Sequence, residues 1–553
     1  MAVPVPNPFR RLGILRPSAD VPDADESTRV AIRVRPRDEE RKLEDLGASL
    51  RKMASTLPHL RKHLSAEQWV RRFGAAKEDL EQVATFARRM GLEVETMMQG
   101  ERSVVLRGPL SRVQKALGVE VHTVEDGEQS FRTHDGPVLV PKSLADTIES
   151  VRGLETIPVF HRRPRIAERT RGNFPVRRVA ELYGFPLEHR GKGQTAVILL
   201  LGGGFHRQDL ETYFRGIKLG VPQIDVVELA GAKNQPASNK AIQQVLHAQG
   251  FEPRPVPVDP EAPDPCDSAA NVAWTIEATT DIEILGSLIP EARLVVVFAP
   301  NTQDEQAAAI ETILGSEFEA QYGCPSVISC SWGQYEYRMK SSSMHAMETA
   351  LERAATMGVT VCFASGDYGG GPVYYPASSA YALACGGTSI VSAPGDDEVR
   401  EEVWREERLA LYFSASGGGA SEAFAVPDWQ KGAVATWGGA KRGVPDIAAQ
   451  ASLASGYALI IGAAEVGMGG TSAAAPLIAG LVVQINEANQ DLKKGYRVGW
   501  LTPLLYGKDF ADAFVSITRG NNGLFVANPR WDPCTGLGRP IGKRLLAALR
   551  AGK

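Results

Sequence analysis

TAVILLLGGG, residues 195–204, is an apolar run that ends on three glycines, and DLETYFRGI (209–217) follows it with helical spacing. The alternation returns in ARLVVVFAP (292–300) before EQAAAIETILGSEFEAQ (305–321), and in SVISCSWG (326–333) before MHAMETALERAATMG (344–358), which leads into VTVCFASGD (359–367). Strands apolar on both faces must be covered on both faces, and the intervening amphipathic helices supply that cover. The pattern therefore predicts an α/β fold with a mostly parallel sheet flanked by helices. Such sheets build their sites at the carboxyl ends of strands. Here those ends read LLLGGG, FAP, SWG and SGD, all small or polar where a site would form.

Ahead of this region the pattern is different. VAIRVRP from Val30 alternates like a strand, EERKLEDLGASLRKMAS, AEQWVRRFGA and KEDLEQVATFARRMGL repeat at helical spacing, and VETMMQGERSVVLRG predicts a hairpin. With the helix SRVQKALGV and a second pair of strands in VHTVEDGEQSFRTHDGPVLVP, residues 28–158 read as a small α+β domain. Six arginines then fall between Arg152 and Arg171 with no periodicity. Residues 159–173 are thus expected to be an exposed linker open to proteolysis, and 174–553 the large domain. Residues 231–269, proline-rich in their second half, are expected to be a long surface loop near the site.

The chain has 553 residues, 61 Lys plus Arg, 65 Asp plus Glu and 43% apolar residues. These values exclude wholesale disorder, and no apolar run is long enough to cross a bilayer. The near-even charge argues against a dedicated nucleic-acid binder. Residues 1–170 carry 29 basic and 25 acidic side chains, about +4, which leaves 32 and 40, about −8, for the rest. This complement favours docking of the two parts near neutral pH and weakens as carboxylates protonate; chance scatter of surface charge is the plain alternative. Residues 1–27 lack the apolar core of a Sec signal and read as flexible. The six cysteines show no zinc spacing and are expected to be free thiols, mostly buried.

Three segments carry possible chemistry. In MGGTSAAAPLIAGLVVQINEA, Ser472 stands at the start of a helix, where free N–H groups and the macrodipole favour negative charge; a plain capping serine is the alternative. A second GGTS at 386–389 is followed by no helix and reads as structural. Subtilisin-type peptidases share a GTSxAxP pattern but place their histidine in HGT, and none of the nine histidines here precedes a glycine. In WTIEATTDIEILGSLI, Glu277 and Asp281 share one face of a helix and, if buried together, can share a proton; solvated neighbours are the alternative. Glu283 should point elsewhere, toward the surface. Asp367, just after a strand, would reach the crevice and, if protonated, donate to an oxyanion; it would otherwise be a turn aspartate.

Together, ExxxD at Glu277 and Asp281, SGD at Asp367 and GGTSAAAP at Ser472 resemble the sedolisin, or serine-carboxyl peptidase, family, most closely its bacterial kumamolisin type. FPVRRVAELYGFP resembles the start of the mature enzymes, and RGVPDIAA and WDPCTGLG match further stretches. LRKHLSAEQWVRRFGA and VRGLET resemble the family's activation prodomain. The resemblance implies a subtilisin-like catalytic domain behind an α+β prodomain. It makes Ser472 the nucleophile, Glu277 its general base, Asp281 the group tuning Glu277, and Asp367 the oxyanion donor. Ser331, Trp332 and Gly333 would line the substrate cleft. The implied protein is a self-processing proenzyme, monomeric and without membrane or nucleic-acid partners, that hydrolyses peptides or proteins as an acid-acting endopeptidase and is held by its own prodomain as an intramolecular inhibitor. A catalytically silent peptide-binding homologue is the alternative. Extracellular action by a route other than Sec is expected, with an intracellular acidic role as the other option.

Two departures stand out. Kumamolisin-type enzymes often carry a third glutamate where this chain has Leu200, which shortens the proton-sharing chain. The family's calcium site uses an aspartate before Ile-Thr and another in GWD. Here the first is Ser516, while Ile517 and Asp532 match, and Asn528 and Arg530 would offer backbone carbonyls. Calcium needs six to eight oxygens, so loss of one carboxylate lowers affinity or abolishes the site.

Overall fold

The computed structural model describes residues 2–5, 16–18, 20–36, 39–125, 130–158, 173–248, 254–256, 266–392, 395, 398–408 and 412–551. Most of the expected linker, 159–172, lies outside the described residues. In the amino-terminal region β1 (Ser27–Val34), β2 (Glu93–Met98), β3 (Ser103–Pro109) and β4 (Ile148–Arg152) form an antiparallel sheet in the order β2–β3–β1–β4. The period of two in β1 decides what each face meets. Val30, Ile32 and Val34 enter a core with Val83 and Val113, from the helices α1 (Lys77–Arg89) and α2 (Leu110–Leu117). Arg29 and Arg33 on the opposite face reach Glu305 and Glu311 of the large domain. The segment 1–27, expected to be flexible, instead contributes Ala2–Val5, paired antiparallel with Val138–Pro141. AVPV is short and β-prone, and as the outer partner of a two-stranded sheet it can carry a proline.

The large domain is built on an eight-stranded sheet. Its strands in chain order are β5 (Thr195–Leu200), β6 (Gln223–Glu228), β7 (Arg293–Phe298), β8 (Val327–Cys330), β9 (Thr360–Ala364), β10 (Leu383–Ile390), β11 (Glu401–Val403) and β12 (Ile447–Gln450). They lie in the order β6–β7–β5–β8–β9–β10–β11, with β12 also pairing β10, and every pairing but β10 to β11 is parallel. Ile198 and Leu200 of β5 face a core containing the helices α3 (Ala269–Leu288) and α4 (Thr471–Ala488). Val197 and Leu199 face the opposite core, with the helices Gln303–Ile313 and Ser341–Met357. The second GGTS lies inside β10, as its lack of a following helix suggested.

Helices α3 and α4 lie in close contact because Gly480 of α4 carries no side chain. A Cβ there would stand 2.5 Å from Leu288. Helix α3 is buried on every side, and its polar residues are accommodated internally: Thr275, Thr279, Thr280 and Ser287 each donate to the carbonyl four residues back. Between 231 and 269 the expected loop contains a helix, Asn239–Ala248, with Ile242 and Leu246 fully buried. Its two apolar anchors, one helical turn apart, were masked by the prolines around them. All six cysteines are free, and Cys330, Cys362, Cys385 and Cys534 are buried.

RGVPDIAA (442–449) is held by a fully buried ion pair, Arg442 Nη2 to Asp446 Oδ2 at 2.7 Å, with the Arg442 guanidinium 5.2 Å from the Trp429 ring. Asp446 also accepts from Ala384 N and Tyr506 Oη, each at 2.8 Å, so it ties β10 to the carboxyl-terminal region. Arg442→Leu is expected to leave an uncompensated buried carboxylate and cost about 3–5 kcal/mol in chemical denaturation.

Candidate active site

Ser472 lies in the first turn of α4 and is 3% exposed. The chain reaches it through Gly470, whose φ of +92° is open to glycine and strained for other residues. Pro476, one turn into α4, has no N–H to give the Ser472 carbonyl four residues back. That carbonyl instead accepts from Ser331 Oγ at 3.0 Å. Ser331 Oγ also lies 2.7 Å from Asp281 Oδ1, so one hydroxyl joins the nucleophile's backbone to the carboxylate helix α3. The Ser472 hydroxyl donates to the Ser331 carbonyl over a long 3.4 Å.

Asp281 is fully buried, and Glu277, one turn earlier on the same face of α3, is 6% exposed. The pair is therefore withdrawn from water. Glu283 is buried as well, against expectation: its Oε2 accepts from Ile460 N at 2.9 Å, and burial pushes its carboxyl well above the usual range. Two residues along α3 from Asp281 does turn it away, but onto another buried element. Asp209 does parallel work, accepting from Gly462 N at 2.7 Å and Ala463 N at 2.9 Å. Together these two acids hold the turn before strand Ala464–Met468, which leads into Gly470. Leu200 is fully buried in the apolar cluster that contains Ile276.

Asp367, just beyond β9, caps α4. Its Oδ1 accepts from Thr471 N at 2.8 Å and Thr471 Oγ1 at 2.7 Å, and Thr471 Oγ1 in turn accepts from Gly366 N at 3.1 Å. Asp367 Oδ2 sits 3.1 Å from where a Gly470 Cβ would stand, beside the residue that leads into α4. The structure thus brings Ser472, Ser331, Asp281 and Asp367 into one bonded cluster. Trp332 departs from the expectation of a cleft-lining residue: its indole is fully buried, donates to the Leu199 carbonyl at 2.8 Å and meets Phe363 edge-on. Alternation along the strand sends its side chain into the sheet's second core, beside Ile328 and Cys330. Ser331 was expected in the substrate cleft and not as a bridge between Asp281 and the Ser472 backbone, and Pro476 had no expected role; the proline one turn after Ser472 was the available signal.

In the carboxyl-terminal loop the Asp532 carboxylate is taken up by backbone donors: Cys534 N at 2.8 Å and Thr535 N at 2.9 Å on Oδ1, and Asn528 N at 3.1 Å on Oδ2. Ser516 Oγ donates to the Pro529 carbonyl at 3.3 Å, and Ile517 is 3% exposed. Asn528 Oδ1 accepts from Arg530 N at 3.0 Å. Among Ser516, Ile517, Asn528, Arg530 and Asp532 only Asp532 brings a carboxylate, and the loop is closed by its own hydrogen bonds. This donor set does not fit calcium.

Residues 18–157 match the family described as Pro-kumamolisin, activation domain, and residues 269–500 match the Subtilase family. Kumamolisin of Bacillus sp. (strain MN-32) is 36% identical over 537 residues, covering 92% of this chain and 89% of that protein. Tripeptidyl-peptidase 1 of Dictyostelium discoideum is 26% identical over 445 residues, covering 74% and 70%. The solved structure of Pseudomonas sedolisin, a serine-carboxyl proteinase complexed with two molecules of pseudo-iodotyrostatin, shares the fold at a TM-score of 0.54 and 21% identity, covering 70% of this chain and 100% of that one.

The Ser331 bridge generates a test. Ser331→Ala removes the hydroxyl that links Asp281 to the Ser472 backbone, and kcat is expected to fall about 100-fold, the cost of roughly 1 Å of misplacement, with the acid limb of the pH–rate profile displaced. An unchanged profile would deny it a positioning role.

Proposed function

Because the chain belongs to the kumamolisin family of sedolisin-type serine peptidases and carries that family's activation domain, we propose that it is an acid-acting endopeptidase made as a self-processing proenzyme. The bonded cluster of Ser472, Ser331, Asp281 and Asp367 is the observation that carries this reading. Ser472 Oγ gives its proton to Glu277 and attacks the peptide carbonyl carbon. Asp367 Oδ2, protonated, donates to the oxyanion. Glu277 then passes the proton to the leaving amine, and water hydrolyses the acyl-enzyme by the same route in reverse. The Ser331 hydroxyl has one proton for two neighbours, so both its bonds close when Asp281 is protonated and donates to it. Such a chain works in acid, where a histidine base would be charged and a carboxyl base with a pKa near the working pH remains effective.

Inhibition and release follow from the docking surface. Arg33 Nη1 meets Glu311 Oε1 at 2.6 Å with both side chains buried, Gly153 N donates to Asp304 Oδ2 at 3.3 Å, and Ala66 N donates to Glu319 Oε2 at 3.0 Å. His63 is pressed against Gly358 and Gly499, and burial together with Arg497, Arg61 and Lys493 lowers its pKa from an ordinary 6.5 to about 3. The docked state refuses a proton that the released state accepts, so His63 weakens docking as pH falls from 6.5 toward 3, by about tenfold per pH unit. Glu101 acts oppositely: burial, then Glu311, raise it from 4.5 to about 7, so its contribution grows as pH falls and is complete below 4.5. Glu149 is held low, despite its burial, by Arg33 and Arg102, which belong to its own domain and stay beside it on release, so they add nothing to the pH dependence of docking. Below about pH 4.5, then, His63 continues to weaken docking toward pH 3 while Glu101 has nothing further to add.

Full-length wild type, Ser472→Ala and His63→Gln are to be followed from pH 3 to 7 by intact mass and by cleavage of a quenched peptide mixture. Wild type should process itself below about pH 4.5 and cut peptides, Ser472→Ala should do neither, and His63→Gln should process at a lower pH. A wild type inert at every pH would leave a silent peptide-binding homologue as the reading. We also propose that this fold does without calcium. Chelation should leave Tm within about 1 °C, whereas Ser516→Asp should gain stability on calcium addition.

A further inference from the structure

One arginine of the amino-terminal domain is buried in the large domain, away from the catalytic cluster. Arg61 is 2% exposed, and its Nη1 donates to the carbonyls of Val498 and Trp500, each at 2.8 Å. Its Nε donates to the Thr56 carbonyl of its own domain at 2.8 Å. The Arg61 backbone is extended, at φ −68° and ψ 142°, and its carbonyl accepts from Lys493 Nζ at 2.5 Å. Three residues on, Leu64 N donates to the Thr356 carbonyl at 3.0 Å. The large domain thus grips the side chain and the main chain of this arginine separately.

The two carbonyls are held in place without Arg61. Val498 N donates to Asn486 Oδ1 at 2.8 Å, Trp500 Nε1 to the Ala380 carbonyl at 2.9 Å, and Thr360 Oγ1 to the Gly499 carbonyl at 2.6 Å. Gly499, at φ +65°, lies so close to Gly358 that a Cβ would stand 2.9 Å from the Gly358 Cα. All these partners belong to the large domain, so the cradle exists independently of its occupant. Asn486 is fourteen residues along α4 from Ser472, about 21 Å at helical rise, which separates the cradle from the cleft.

Among the described residues no carboxylate pairs with Arg61, and its charge meets carbonyl dipoles instead. Such a site selects a cation that gives up water cheaply. A guanidinium is more weakly hydrated than an ammonium, and one of its nitrogens can serve two carbonyls in a plane. The Tyr496 hydroxyl, fully buried and without a hydrogen-bond partner among the described residues, helps hold the charge on Arg61, which burial lowers to about 10. Arg61 therefore stays charged from neutral pH into acid. Lys493 and Arg497 also face the segment and, with Arg61, oppose a charge on His63.

We propose that Val498, Trp500 and Lys493 form an arginine-binding site on the large domain, filled by Arg61 in the full chain and open, once the amino-terminal domain leaves, to an extended arginine-bearing segment of another chain. The site itself is independent of the peptidase reading; its opening rests on the release which that reading proposes.

Two measurements at pH 7 test it. In full-length Ser472→Ala, the further change Arg61→Ala empties the cradle, and ethylguanidinium replaces the deleted atoms. The Tm of this double variant should rise by about 1–2 °C, saturably, with millimolar ethylguanidinium and stay put with ethylammonium at the same ionic strength. Ser472→Ala alone, its cradle filled, should respond to neither. The self-processed enzyme, freed of its amino-terminal domain, should bind a labelled peptide of residues 57–65, LPHLRKHLS, and exchanging its arginine for leucine should weaken binding about tenfold or more in fluorescence anisotropy. A folded double variant that ignores ethylguanidinium, or answers both cations equally, overturns the site, as does a peptide that binds equally well without its arginine. If the double variant does not fold, the peptide decides. If wild type never processes itself, ethylguanidinium decides, and a guanidinium-specific gain leaves the site standing while the peptidase reading falls.

Discussion

A missing N–H organises the site. Pro476 leaves the Ser472 carbonyl without its helical partner, and the Ser331 hydroxyl takes that place while also meeting Asp281. Three elements far apart in sequence, the end of β8, helix α3 and the first turn of α4, are thereby brought within hydrogen-bonding distance. The approach of α3 to α4 depends in turn on Gly480, because a side chain there would run into Leu288. The carboxyl groups of α3 can be held away from water because the rest of that helix satisfies its polar groups internally.

The amino-terminal domain uses the same economy of strand alternation. One face of β1 closes its own small core, and the other supplies Arg29 and Arg33 to acidic residues of the large domain. The docking surface consequently holds charge pairs at buried positions, where screening by salt is weak. In the proposed release, His63 and Glu101 pull in opposite directions as pH falls, and their ranges differ, so the balance tips only once Glu101 is fully protonated and His63 acts alone. Family membership supplies the peptidase and its activation domain; these groups supply a physical basis for when the domain would let go.

Much of this was legible in the residues. Apolar runs such as TAVILLL announce a sheet covered on both faces, since hardly any polar residue interrupts them, and the small amino-terminal domain follows from its periodicities. Ser472 at a helix start and the four-residue spacing of Glu277 and Asp281 were readable because a helix has a fixed pitch. Spacing could not reveal which face of each element is buried. Glu283 looked like a surface acid and is enclosed, Trp332 looked like a cleft residue and packs in the core, and Ile242 with Leu246 formed a helix inside an apparent loop.

What the sequence alone determined is therefore the class of fold, the presence of two domains and the residue types capable of chemistry, because these depend on local periodicity and on motifs contiguous in the chain. What only the tertiary structure decided is which of those residues meet. Ser331 reaches Asp281 across 50 positions and the Ser472 carbonyl across 141, and Gly366 lies beside both Tyr374 and Thr471. Such contacts are set by how helices and strand ends pack against one another, and no local pattern in the chain encodes them.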